Sequence, residues 1–291
     1  MPHGLDHIVH AVRDLDAAAA FYGRAGFTVG SRNRHPWGTH NHIVQFPGVF
    51  IELLGVGEPE LITAATPGTF SFASFTRDFL ARDQGLAMLV LEGRGAAADA
   101  EAFRAAGIGD FDVFDFEREA KRPDGSIVRV AFSLAFAADP KTPDAGYFTC
   151  QQYYPENFWN PAFQLHPNGV SGIAEIIMVS GKPKDHVDFL RAFSRVRDID
   201  SNASGFSVRT ERGDIRVMNP AAYRADSGTE PPSLTRGARF AAIRFVMRDK
   251  RAAISALKKG GVAFVERDFG IVVPPDAAFG ATLIFDGTKV G

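Results

Sequence analysis

At 291 residues, 45% of them hydrophobic and with a net charge of −2, the chain has ample apolar material for a packed core and no basic excess to suit a nucleic-acid partner. No apolar run nears the roughly 18 residues that span a bilayer, and no basic-then-apolar leader opens the chain. The expected setting is therefore cytoplasmic, with no membrane partner, and the single Cys150, which can form no intrachain disulfide, agrees with it.

The chain opens with a strand over the apolar run from Leu5 to Val12. Asp14 can cap a helix carried by Ala17 to Ala20, Phe21 and Tyr22, and Gly26 ends it. Phe27-Thr28-Val29 restarts strand character, while Pro36, Gly38, Pro47 and Gly48 mark turns, so residues 1–57 read as a βαβββ module. Side chains alternate along a strand, which puts Leu5, His7 and Val9 on one face and Asp6, Ile8 and His10 on the other. His7 and His10 therefore cannot serve one ion. In the last strand Glu52 shares a face with Phe50 and Leu54. A carboxylate among such neighbours needs a metal ion, an arginine or a hydrogen-bond donor beside it.

Phe72, Phe75 and Phe79 fit helical spacing and predict a short amphipathic helix over this module. A second βαβββ module occupies 85–160. Its strands are expected at Leu86 to Leu91, Phe111 to Phe116, Ile127 to Phe136 and Tyr147 to Tyr153, with a helix from Ala96 to Ala106 and a polar hairpin turn from Arg118 to Gly125. Laid over the first module, Met88 takes the place of His7. Asn160 to Gly172 is the best linker candidate.

Residues 171–291 hold two more modules, divided by a polar loop from Ala221 to Arg236. Glu175 falls near the His7 position and Arg216 near that of Glu52, which predicts a salt bridge where the other half has a site. The fold class is thus α+β: four βαβββ modules in two paired-module domains, 1–160 and 171–291, each a cup-shaped half-barrel sheet.

The submotifs Gly4-Leu5-Asp6-His7-Ile8-Val9, Val12-Arg13-Asp14-Leu15-Asp16, Gly26-Phe27, Gly38-Thr39-His40-Asn41 and Phe50-Ile51-Glu52-Leu53-Leu54 recur in order in one group. The chain resembles the vicinal oxygen chelate superfamily, which includes glyoxalase I, the extradiol dioxygenases and the bleomycin-resistance proteins, and is most similar to its glyoxalase-like branch. The resemblance implies that His7 and Glu52 hold a divalent metal ion, Mg, Mn, Fe or Zn. Related proteins carry Cys-Gln-His in the last strand of the second module, where this chain has Cys150-Gln151-Gln152. Gln152 is then the third metal ligand, with Gln151 as the fallback.

Glu52 and His40 are the catalytic candidates, and Asn41, Tyr153 and Trp159 the substrate-binding ones. The implied chemistry is that of a metal-dependent lyase, isomerase or dioxygenase acting on a small molecule with vicinal oxygens. The competing reading is a metal-free binding protein of the bleomycin-resistance type, favoured by Met88 and Gln152. A small-molecule substrate is the expected partner, with a second copy of the chain as a further candidate in a homodimer.

Overall fold

A computed structural model of the chain describes residues 2–121 and 125–288. The first module comprises β1 (Leu5–Ala11), α1 (Leu15–Arg24), β2 (Asn33–Arg34), β3 (Thr39–Phe46) and β4 (Val49–Val56). After α2 (Phe72–Arg82) come β5 (Gly85–Glu92), α3 (Ala96–Ala105), β6 (Phe114–Lys121), β7 (Ile127–Ala137) and β8 (Gly146–Gln152). The short α4 (Pro155–Phe158) leads to the second half, with β9 (Val170–Val179), α5 (Val187–Ser194), β10 (Asp200–Asn202), β11 (Gly205–Val208) and β12 (Asp214–Met218). Its last part is α6 (Pro220–Ser227), β13 (Arg239–Met247), α7 (Lys250–Lys259), β14 (Val265–Arg267), β15 (Gly270–Val273) and β16 (Thr282–Asp286).

Local chemistry places these boundaries. The Asp14 carboxylate accepts the Ala17 N–H at 2.9 Å to start α1, and Asp249 accepts from Arg251 and Ala252 to start α7. Ser71 does the same for α2. Some expectations shift. Phe27-Thr28-Val29 forms no strand, and β2 is only Asn33–Arg34. The predicted loop from Ala221 to Arg236 begins as α6, because Asn219 caps it through the Ala222 N–H and Pro220 suits a first helical turn. The polar stretch from Arg118 is not a turn at its start, since β6 runs on through Lys121; its tip, 122–124, lies outside the described residues.

Two eight-stranded sheets result, in the orders β2-β3-β4-β1-β5-β8-β7-β6 and β10-β11-β12-β9-β13-β16-β15-β14. Each joins two modules through a central antiparallel pair. The first sheet curls into a half-barrel, and Trp37, in the loop after β2, reaches across to set its ring 5.2 Å from Phe114 and 5.0 Å from Phe116 of β6.

Register exposes a local two-fold symmetry. Ile8 pairs with Leu89 at the centre, and each strand carries one extra residue, Asp6 in β1 and Ala87 in β5. His7 thus superposes on Met88, as the sequence predicts. One strand outward, Glu52 opposite Val9 superposes on Phe148 opposite Val90. The bulge also corrects the expected alternation, because Leu5 joins the outer core while Asp6 bonds to His7. The second sheet repeats the plan with bulges at Ala174 and Ala241, which puts Glu175 at the His7 position and Arg216 at that of Glu52.

The outer faces and most helices of both sheets share one apolar core. Phe27 of the first half lies 5.2 Å from Phe245 and 5.9 Å from Phe285 of the second. Gly280, at φ 85°, has no room for a side chain, since a Cβ would come 2.1 Å from the Gln84 carbonyl. The expected linker is tied down. His166 accepts the Thr28 N–H and bonds the Gln45 carbonyl, and Asn168 donates to the Ala25 carbonyl. No described helix is long and apolar enough to cross a membrane.

Candidate functional site

The concave face of the first sheet forms an aromatic cup. Phe50, Phe72, Phe116, Phe132, Phe148 and Phe158 line it, and Trp37 closes one side. The polar groups among these rings are His7, His35, Asn41, Glu52 and Arg118. The space within it is narrow, about 60 Å³.

β1 and β4 run side by side, which brings His7 and Glu52 to the same wall. The imidazole Nε2 lies 3.8 Å from the Glu52 Oε2. Behind it, Nδ1 bonds the Asp6 Oδ1 at 2.5 Å, so the carboxylate fixes the ring's orientation. The ring also stacks on Phe50, with centroids 4.2 Å apart. Gln152 donates its amide to the other Asp6 oxygen at 3.1 Å.

On the far side of Glu52, Asn41 donates to Oε1 at 2.6 Å and reaches the His35 Nε2 at 3.2 Å. With Nε2 accepting, His35 carries its proton on Nδ1, bonded to Thr39 Oγ1 at 2.8 Å. Burial, aided by Arg118 and His40, pushes the His35 pKa down to about 3 and keeps the ring neutral. Burial raises the Glu52 pKa, and the pull of His7, the Asn41 bond and Arg118 only partly opposes it. Cys150 also lines the cup, and burial holds its thiol far above the usual range, in the protonated form.

The expected site residues divide. His7, Glu52 and Asn41 come together in the cup. His40 points to the opposite face of β3, where Nε2 bonds Glu58 at 3.0 Å, because alternation turns it away whenever Asn41 faces in. Tyr153 is half exposed on the outer face, bonded to Ser133. Trp159 stands behind Phe50, ring centroids 5.8 Å apart, and Phe158 takes the lining position. Gln151 caps α3 through the Ala96 N–H, which leaves Gln152 on the inner face.

Gln152 nevertheless stands four residues beyond Phe148, the register partner of Glu52 under the two-fold, and its N–H is committed to Asp6. Its Oε1 is buried without a hydrogen bond. Among the described residues no group of three His, Cys, Asp or Glu gathers as metal ligands do. His7 and Glu52 are a two-donor set whose counterparts under the two-fold are Met88 and Phe148. Such a set does not fit a tightly held divalent ion, which takes at least three protein donors in closed or catalytic sites.

His35 and Arg118 are the residues that the sequence reading missed. His35 precedes Pro36 and looks like a loop residue, yet the turn folds it back to within 3.9 Å of Glu52. Arg118 looks like part of a turn, although the alternation Phe114, Phe116, Arg118 was a usable sign of a strand facing the cup.

In the second sheet an ion-paired cluster takes the place of the cup's polar pair. At the corresponding positions Arg216 lies 3.7 Å from Glu175, and Arg244 binds Glu175 at 2.9 Å and Asp286 at 2.8 Å, with Asp226 also in contact. The salt bridge expected there is present, with Arg244 as its stronger member.

Comparisons with known proteins agree with this architecture. The family described as Glyoxalase-like domain matches residues 5–193. No curated protein matches the chain. Among solved structures, a hypothetical protein from Staphylococcus aureus is similar over 98% of this chain and 99% of its own, at 15% identity and a TM-score of 0.65. The Mn(II)-bound glyoxalase from Novosphingobium aromaticivorans is similar over 98% of this chain and 81% of its own, at 12% identity and a TM-score of 0.52. A mutant 4-hydroxymandelate synthase from Streptomyces coelicolor gives 92%, 78%, 13% and 0.51 for the same quantities. At such identities the likeness is one of fold. With the family match covering well over half its length, the chain belongs to the Glyoxalase-like domain family of the vicinal oxygen chelate superfamily.

Proposed function

We propose that the chain is a small-molecule-binding protein whose aromatic cup sequesters a small organic compound without a resident metal ion, as the bleomycin-resistance members do. One observation carries this reading: Met88 and Phe148 occupy the positions related to His7 and Glu52, so half of a ligand set has become apolar wall. An apolar cup with a few convergent polar groups is suited to binding an organic ring and orienting it by one or two hydrogen bonds. Elemental analysis of purified protein tests it. Well under one equivalent of metal is expected, with binding of an aromatic probe to the cup unchanged by chelator. Stoichiometric metal, lost in both His7→Ala and Glu52→Ala, would overturn it.

The metal-dependent lyase, isomerase or dioxygenase remains a second reading, and three observations favour it. Asp6 orients His7 as carboxylates orient metal-binding imidazoles, His7 Nε2 faces Glu52 Oε2, and the Gln152 Oε1 is buried without a partner. If a Mg, Mn, Fe or Zn ion binds, His7 and Glu52 would hold it and it would supply a Lewis acid for vicinal oxygens. The same elemental analysis decides between the two.

A further inference from the structure

Arg118 is a half-buried cation in the wall of an otherwise aromatic cup, and among the described residues it has no carboxylate partner. Among the described residues its hydrogen bond goes from Nη1 to the Glu119 carbonyl at 3.3 Å, and no acidic group there lies within salt-bridge distance. Most of its five N–H donors are thus uncommitted. Desolvating a guanidinium without an anion is unfavourable, whereas a ligand carboxylate could take two parallel N–H bonds from it.

Several other arginines have acids beside them. Arg244 has three acids around it, and Arg236 and Arg82 share Asp144. Glu52 cannot play that role for Arg118, being held by Asn41 and too far away for an ion pair, though the two feel each other's charge. A second unused donor sits close by. The Trp37 Nε1–H is buried without a partner, and its ring packs on Phe116, the residue two before Arg118 on the same face of β6.

We infer that the ligand of the cup is a small planar apolar anion, an aromatic or unsaturated carboxylate, whose ring lies among Phe116, Phe132 and Phe148 and whose carboxylate pairs with Arg118. This rests on the small-molecule-binding reading above. The ring faces supply apolar contact and stacking, and Arg118 supplies selectivity for charge. The narrow space restricts the ligand to one ring or a short conjugated chain.

Benzoate and trans-cinnamate are titrated into the protein beside the neutral amides benzamide and cinnamamide, by calorimetry and by tryptophan emission. The acids should bind at least tenfold tighter than the amides. Arg118→Gln should abolish that preference while leaving amide binding in place, and Arg118→Lys should restore part of it. Equal affinity of acids and amides in the wild type, or an acid preference that survives Arg118→Gln, overturns the anion assignment alone. Failure of all four probes to bind the wild type overturns the assignment and the binding function with it. Should Arg118→Gln not fold, the wild-type ratio and Arg118→Lys still decide.

Discussion

His7 and Glu52 present two acceptor atoms, Nε2 and Oε2, to each other across 3.8 Å, too far for a direct hydrogen bond and close enough to share a third atom. A ligand hydroxyl at about 2.8 Å from each would share its one proton between the two acceptors in a bifurcated bond. The arrangement therefore fits a polar substituent on an otherwise apolar ring. His7→Ala and Glu52→Gln should each weaken a hydroxylated aromatic ligand by roughly 1 kcal/mol or more, and should leave its deoxy analogue unaffected. Calorimetry on matched pairs, such as salicylate against benzoate, reads this; equal losses for both members would refute the shared-atom geometry.

Glu52 also bears on stability. Its folded pKa is raised by burial, so the folded state holds the proton more firmly than the unfolded one. The associated stability is fully present below the unfolded value of 4.5 and is lost as pH rises through the folded pKa. Glu52→Gln removes the ionisation. At pH 8 the variant should unfold at a higher temperature than the wild type, by the equivalent of about 1 kcal/mol, with the gap closing near pH 4. A variant that is less stable at both pH values would contradict this.

Three buried histidines act in the other direction. Burial lowers His10 and His166 to about 4 and His35 to about 3, from 6.5. Each binds a proton more readily once unfolded, so stability present at pH 7 drains away as pH falls from 6.5 toward these values. The slope is roughly 1.4 kcal/mol per pH unit for each group across its window. Urea midpoints measured from pH 7 to pH 4.5 should drop steeply. His10→Leu, which copies the register-related Leu91, should lose stability at pH 7 by stranding the Tyr22 hydroxyl, yet show a shallower drop.

Asp139, His186 and Ser180 form a chain in which Nδ1 bonds the acid at 2.7 Å and Nε2 meets the hydroxyl at 2.9 Å. The arrangement imitates a hydrolase triad. Ser180 is only 4% exposed, however, and its Oγ accepts the Lys182 N–H. Its place at the meeting of the two halves makes it a joint. No labelling by a fluorophosphonate probe is expected in the native protein, and His186→Ala should destabilise by about 1–3 kcal/mol through unpaired buried polar atoms. Native labelling at Ser180 would sink this view.

Arg244 sits among Glu175, Asp226 and Asp286 in the second sheet. Arg244→Met would leave acids without their central cation, at a cost of about 3–5 kcal/mol. Binding of aromatic acids by whatever protein remains folded should be unchanged. Thermal melts paired with calorimetry separate the two effects.

Much of the first module was legible from residue order, because a period of two fixes which side chains share a face. His7, Glu52 and the Met88 correspondence follow from it, as does the pairing of Glu175 with Arg216. The rest depended on departures from that period or on distant packing. The bulge at Asp6 brings its carboxylate round to His7, which strict alternation forbids. Gly38-Thr39-His40-Asn41 leaves open which of His40 and Asn41 faces inward until β3 is paired with β4. Arg118 was read with the turn expected from Pro123-Asp124-Gly125. Asp139 and His186 are brought together only by the docking of two sheets.

Phe27 belongs to the first half of the chain, yet its ring lies against Phe245 and Phe285 of the second, with Phe46 beside them. A fragment ending at Asn168 would show those rings to water and stick to its neighbours. Anyone wishing to shrink this protein to a single-cup sensor must first repaint that seam with polar side chains.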